Sequence, residues 1–169
     1  LSLSIKPHLT NSLRVLGCRG IMMLNFDDSS TMAFTIATRA NISGSNGVTN
    51  YEILVDLRGE LQTWLPFYTD TMKFSFSIYD GVSTTTIYSS AKAFGTIYAV
   101  TATYGSSEMY LYIDDMAEAS ATKNPPTSAS AQNIIGTLYN PALDKGWFNG
   151  TIQYVLIYNR TLSESEINS

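Results

Sequence analysis

Alternation of apolar and polar side chains constrains this chain more than any other feature of its sequence. In Lys73-Phe74-Ser75-Phe76-Ser77-Ile78-Tyr79, the residues Phe74, Phe76 and Ile78 fall on one side and Lys73, Ser75 and Ser77 on the other. A period of two is the mark of a strand with one face turned into a core. The pattern returns between Tyr98 and Ile113, where Val100, Ala102 and Tyr104 precede Met109, Leu111 and Ile113 across Gly105-Ser106-Ser107. Two alternating runs about a short polar turn predict a β-hairpin, with Tyr110 and Tyr112 facing outward.

Further strands are predicted at Ile21 to Phe26, Met32 to Ile42, Tyr51 to Leu57, Thr63 to Phe67, Thr84 to Tyr88, Asn133 to Leu138 and Thr151 to Tyr158. Turn residues separate them: Asn46-Gly47 inside the 41–50 stretch, and Asp80-Gly81 between two strands. Ala117 to Ala131, with Pro125-Pro126, reads as the longest irregular loop. About ten strands joined this way bury both inner faces only by stacking two sheets, so the fold class is an all-β, antiparallel two-sheet β-sandwich of jelly-roll type. A chain of 169 residues fits one such sandwich, and the expected organisation is a single domain over residues 1–169. Ser163 followed by Glu166 forms a capping box that opens a short C-terminal helical turn.

Composition decides which partners fit. Charged residues make up 14 % of the chain and the formal net charge is −4, so no basic stripe exists to neutralise a polyphosphate, and nucleic acid is not an expected partner. The 39 Ser and Thr and 11 Tyr suit pleated surfaces wetted by hydroxyls rather than by charge. No apolar run reaches membrane-spanning length. The opening Leu1-Ser2-Leu3-Ser4 carries neither an initiator Met nor a basic signal region, and reads as the start of a mature fragment or excised domain. Cys18, the single cysteine, has no internal disulfide partner and reads as a small buried hydrophobe. Asn-x-Ser/Thr sequons at Asn41, Asn149 and Asn159 would carry surface glycans in a glycosylating secretory route.

The C-terminal half also resembles a known family. Ala99-Val100-Thr101-Ala102-Thr103-Tyr104-Gly105 and Met109-Tyr110-Leu111-Tyr112-Ile113-Asp114 are similar to the paired strands of laminin G-like domains in the concanavalin A-like lectin/glucanase superfamily. Ile134-Ile135-Gly136 stands where that family has its next strand, and the run from Phe148-Asn149-Gly150-Thr151-Ile152 to Glu166-Ile167 follows its closing segment. Leu24-Asn25-Phe26-Asp27-Asp28 and Phe34-Thr35-Ile36 resemble its N-terminal strands. Departures include Ile97 and the Arg39 region in place of tryptophans, Asp115 for a glycine and Gln153 for an acidic residue. The resemblance implies a concanavalin A-like jelly roll, an extracellular, cell-surface or virion-surface location, and a noncatalytic module that binds a glycan or a protein partner. It also implies that a calcium ion can sit at a loop edge; Asp27 and Asp28 are nominated from a set that includes Asp70, Asp80, Asp114 and Asp115. No other cofactor is expected.

Catalysis lacks its groups. Glycoside hydrolysis needs two carboxylates roughly 5 to 10 Å apart. Glu52, Asp56 and Glu60 could share a strand face, but four strand residues span roughly 13 Å, so they read as a solvated face with Arg58 as counter-charge. Glu164 and Glu166 are explained by helix capping, and His8, the single histidine, has no motif beside it for a triad or zinc site. An enzyme is therefore not expected. Sugar recognition calls instead for an aromatic platform with hydrogen-bonding groups nearby, and Trp64, Tyr68, Tyr110, Tyr112, Tyr139 and Trp147 are the candidates. The alternative is a structural subunit of a virion, fibre or cell-surface assembly, in which the same outward aromatics would be buried by self-assembly.

Overall fold

The computed structural model describes residues 32–47, 49–58, 61–127, 133–137 and 146–169, together with the backbone of residues 12–15 and 21–22. Among the described residues, twelve strands and one short helix run in the order β1 (Ser12–Val15), β2 (Ile21–Met22), β3 (Phe34–Ile42), β4 (Tyr51–Asp56), β5 (Thr63–Tyr68), β6 (Lys73–Tyr79), β7 (Thr84–Tyr88), β8 (Ile97–Gly105), β9 (Glu108–Ile113), β10 (Met116–Thr122), β11 (Asn133–Ile135), β12 (Gly150–Tyr158) and α1 (Glu164–Ile167). They form two six-stranded antiparallel sheets: β1-β12-β3-β8-β9-β10, the first sheet, and β2-β11-β4-β5-β6-β7, the second. The expected two-sheet sandwich with a C-terminal helical turn is thus what the chain forms.

The alternation read from the sequence places the core. Phe34, Ile36, Val100, Ala102, Tyr104, Leu111 and Val155 of the first sheet face Leu65, Phe67, Phe74, Phe76 and Ile78 of the second, all at most 1 % exposed. Rings bridge the layers: Phe34 meets Phe76 edge-on at 6.2 Å and Tyr98 meets Phe74 at 5.7 Å. Each such side chain removed from water contributes about 1.5–3 kcal/mol.

Two hairpins explain why the strand count exceeds the expectation at one edge. Ser106 and Ser107 (φ 53° and 63°) turn β8 into β9, and Asp114 and Asp115 (φ 48° and 68°) turn β9 into β10. Two successive left-handed residues give the turn geometry whose twist matches antiparallel strands. The stretch from Ala117, expected as an irregular loop, is therefore strand as far as Thr122. Its alanines carry little strand preference, and pairing with β9 rather than local propensity makes it a strand.

Ion pairs close this side of the sandwich. Lys123, just after β10, meets Asp80, just before β7, at 2.9 Å with both side chains at most 6 % exposed, and its Nζ also donates to the Ser83 carbonyl. Lys92 meets Glu118 of β10 at 2.6 Å. The backbone N–H groups of Ser83 and Val82 together with Lys123 hold the Asp80 carboxyl well below the usual carboxylate range.

The C-terminal segment crosses the outer face of the first sheet. Thr35, fully buried, donates through Oγ1 to the Arg160 carbonyl and accepts from the Leu162 N–H, while Thr161 donates to the Tyr104 carbonyl. Glu166 accepts from the N–H of Ser163 as the capping box requires, and also from the Ser163 hydroxyl and from both terminal nitrogens of Arg160. Those contacts, the Arg160 guanidinium first, hold the Glu166 carboxyl down to about 2.

Candidate ligand-binding site

Strand register decides which polar and aromatic side chains meet. On the second sheet, Tyr51 of β4 lies opposite Tyr68 of β5, Tyr68 opposite Lys73 of β6, and Ser75 of β6 opposite Tyr88 of β7. All five side chains are on the sheet's outer face, because their neighbours Phe67, Phe74 and Ile87 point into the core. The three tyrosine rings form a row, with Tyr51–Tyr68 centroids 6.1 Å and Tyr68–Tyr88 centroids 5.6 Å apart. Tyr51 and Tyr68 are half-buried, whereas Tyr88 is 45 % exposed. Burial, then the hydroxyl of Tyr88 and the charge of Asp70, push the Tyr68 phenol above its ordinary value.

Beneath and beside this row the floor is lined with hydroxyls. Ser75 and Ser77 have no exposed surface; Ser77 Oγ shares a hydrogen bond of 2.9 Å with Thr86 Oγ1 of β7, but among the described residues Ser75 Oγ has no hydrogen-bond partner. Pro66, one strand over, offers no N–H to that part of the ladder, and the pairing of β5 with β6 passes from Trp64 to Phe67 around it. An orphaned buried hydroxyl costs about 1–3 kcal/mol, and proteins retain few of them.

The far end of the same face carries Trp64, roughly 13 Å from Tyr68 by four strand residues. The Arg58 guanidinium lies 5.8 Å from the Trp64 ring centroid and grips Asp56 with Nε and Nη2, at 2.9 and 2.8 Å. The expectation that Asp56 forms part of a solvated face with Glu52 is corrected here, since both are fully buried. Nor do the two share a face. A bulge between Ile53 and Val55 shifts the register, so Glu52 pairs with inward Phe67 and Asp56 with outward Trp64. Arg58 is the expected counter-charge of Asp56, as a bidentate pair. Glu60 lies outside the described residues.

Glu52 has a structural task at one end of the sandwich. Its two carboxylate oxygens accept the backbone N–H of Asn46 at 2.7 Å and of Asn149 at 2.8 Å, tying the 43–50 loop to the segment before β12. Asn46 in turn donates its amide to the Trp147 carbonyl. Trp147 is thus a loop residue held through Asn46, next to Gly146, whose carbonyl accepts from the Ile53 N–H. Burial pushes the Glu52 carboxyl up, against the lowering effect of those two N–H groups.

The remaining sequence candidates scatter. Tyr110 and Tyr112 lie on the outer face of the first sheet, opposite Thr103 and Thr101, with rings 6.2 Å apart. Tyr112 is only 7 % exposed, and burial, then the charge of Glu164, pushes its phenol up, while the Tyr110 phenol is pushed up first by its hydrogen bond to Glu108. Both face outward as expected, but Tyr112 is buried there while Tyr110 stays partly exposed. Tyr139, Asp27, Asp28, His8 and Cys18 lie outside the described residues. Among the described residues no cluster of three or more metal-ligating side chains occurs. Asp70 accepts from the Thr71 N–H and Asp114 from the Ala99 N–H, both turn or strand-end roles. Of the sequons, Asn159 is exposed, Asn149 donates to the Ser45 carbonyl, and Asn41 donates to the Gly95 carbonyl while its Oδ1 is buried. Tyr51, Tyr88 and Ser75 escaped sequence reasoning, because nothing local marks a tyrosine as opposite another strand's tyrosine.

Comparison with known proteins now bears on this geometry. The family model described as the concanavalin A-like lectin/glucanases superfamily matches residues 21–168. No curated protein matches the sequence. Among solved structures the chain is similar to the CBM40 of a Ruminococcus gnavus IT-sialidase bound to α2,3-sialyllactose, with a TM-score of 0.69 and 14 % identity, covering 92 % of this chain and 96 % of that one. It is also similar to botulinum neurotoxin type C, in a structure concerned with its interaction with two ganglioside molecules (TM-score 0.61, 15 % identity, 81 % of this chain and 35 % of the toxin). A Trypanosoma rangeli sialidase gives a TM-score of 0.59 at 17 % identity, over 81 % of this chain and 22 % of the enzyme. The chain therefore spans about a third of the toxin chain and about a fifth of the sialidase. No helix among the described residues is long and apolar enough to cross a membrane.

Proposed function

The chain belongs to the concanavalin A-like lectin/glucanase superfamily, and from that premise we propose that it is a noncatalytic carbohydrate-recognition module of an extracellular or surface protein, with its binding site on the outer face of the second sheet. The observation that carries this reading is the row Tyr51–Tyr68–Tyr88 beside the orphaned Ser75 hydroxyl. Tyrosine rings offer an apolar face with a polar tip, which suits a pyranose that presents C–H groups on one side and hydroxyls around its rim. Trp64 stands on the same face as a second aromatic station. The similar structures support the reading, since the CBM40 is described bound to α2,3-sialyllactose and the neurotoxin as interacting with two ganglioside molecules.

The pair of carboxylates that sugar hydrolysis requires is not assembled from Glu52 and Asp56, which occupy opposite faces of β4 and are engaged by Asn46, Asn149 and Arg58. A binding role needs no such pair. The test is a broad glycan array probed with the purified chain, once with calcium and once with a chelator. Saturable binding that Tyr68→Ala abolishes is the expected result, and loss in chelator would add a calcium ion to the site. Silence on every glycan, with the chain folded and self-associated by light scattering, would replace this reading with the assembly role.

A further inference from the structure

We infer that the ligand of this face is an uncharged pyranose, stacked on Tyr68 and Tyr88 and hydrogen-bonded by Ser75, rather than a carboxylate-bearing sugar. The inference rests on the carbohydrate-binding reading above and specifies the chemistry of the same site.

Recognition of a sugar carboxylate calls for a guanidinium or ammonium held ready to pair with it, most effectively in a two-pronged geometry. Arg58, the guanidinium on this face, already spends Nε and Nη2 on Asp56, which is fully buried and cannot release its counter-charge cheaply. Of the other described arginines, Arg160 is engaged by Glu166 and Arg39 sits on β3 of the opposite sheet. Around the tyrosine row the fixed charge is balanced: Lys73 stands at one rim, and Asp70 is near enough for its charge to act on the Tyr68 phenol. Among the described residues, a carboxylate brought to the row would meet no uncommitted guanidinium, and the Lys73 ammonium at the rim is offset by the charge of Asp70.

What the row does offer is neutral. The rings present faces for C–H contact, and Ser75 Oγ is a buried donor and acceptor that no group among the described residues satisfies. Tyr88 lies directly opposite Ser75 in the strand register and is 45 % exposed. A sugar hydroxyl reaching Ser75 Oγ gains a hydrogen bond that none of those residues supplies.

The deciding experiment measures affinity of the full 169-residue chain for galactose-, glucose- and mannose-terminated oligosaccharides and, in parallel, for their α2,3-sialylated counterparts. Each arm is run at about 50 mM and about 500 mM NaCl, because screening weakens exposed charge pairing and leaves stacking untouched. The expected result is binding to a neutral arm that salt changes less than about twofold. Tyr68→Ala and Tyr88→Ala should each weaken it at least about tenfold. Ser75→Ala should weaken it while leaving thermal stability equal or higher, and Lys73→Met should leave it unchanged. Binding confined to the sialylated arm, weakened by salt and lost in Lys73→Met, would overturn the neutral-sugar inference and leave the carbohydrate-binding reading standing. Neutral binding that survives the Tyr68, Tyr88 and Ser75 variants would overturn the placement of the site, and absence of binding in both arms would overturn both readings.

Discussion

Ser75 and Glu52 show how single side chains here trade stability against order. Ser75 keeps a desolvated hydroxyl with no partner among the described residues, so Ser75→Ala should raise stability by about 1–3 kcal/mol in urea unfolding. An unchanged or lowered stability would mean that the hydroxyl is satisfied in solution. Glu52 works in the opposite sense, as the acceptor joining two loops through Asn46 and Asn149. Burial raises its folded value above the ordinary 4.5, so folding binds a proton there. The stabilisation that follows is complete below about pH 4.5 and is lost as pH rises through the folded value. Glu52→Gln cannot titrate, and the margin by which the wild type exceeds it should shrink between about pH 4.5 and pH 7. A margin that stays constant, or grows with pH, would contradict a raised carboxyl.

At the scale of elements, the edge strands carry the less obvious design. β7 and β10 are the outer strands of their sheets, and exposed edges invite pairing with other chains. Here they are joined across the sandwich by Lys123–Asp80 and Lys92–Glu118. The two halves of the buried pair are not equivalent. Lys123→Met leaves Asp80 with the N–H groups of Val82 and Ser83, whereas Asp80→Ala leaves an ammonium buried at 4 % exposure with, among the described residues, only Ser83 to accept from it. Asp80→Ala should therefore lower the urea midpoint more than Lys123→Met does, because an unpaired buried charge costs more than a lost pair. Equal losses would show that water reaches the ammonium. β10 itself illustrates a strand made by its neighbour: Ala117, Ala119 and Ala121 give no strand signal, yet the two left-handed aspartates before them return the chain onto β9.

For the whole molecule, one continuous core joins both sheets, from Phe34 and Tyr104 on one side to Phe67 and Phe76 on the other. A shared core of this kind predicts a single cooperative unfolding transition, with sheet content by far-UV circular dichroism and core packing by near-UV signal lost together. Two separated transitions would mean that residues 1–169 do not act as one domain. The two outer faces differ in kind, because the C-terminal segment is pinned to the first sheet through Thr35 and Tyr104 while the second carries the tyrosine row. That asymmetry is the reason for placing recognition on the second sheet.

Much of this architecture was legible before any coordinates. Phe74, Phe76 and Ile78 face the core as their alternation requires, Gly105-Ser106-Ser107 turns a hairpin, and Ser163 with Glu166 caps the last helix. These features are local: each depends on residues a few positions apart, and backbone geometry translates such spacing directly into a face or a turn. The tyrosine row was not legible, although Tyr68 was singled out, because Tyr51 and Tyr88 reach it only through the register of β4, β5, β6 and β7. A single bulge at Ile53/Val55 likewise parted Glu52 from Asp56, which a regular strand would have left on one face. Alternation sets which way a side chain points; which side chains then become neighbours is settled by sheet order and register, and those follow from packing the entire core.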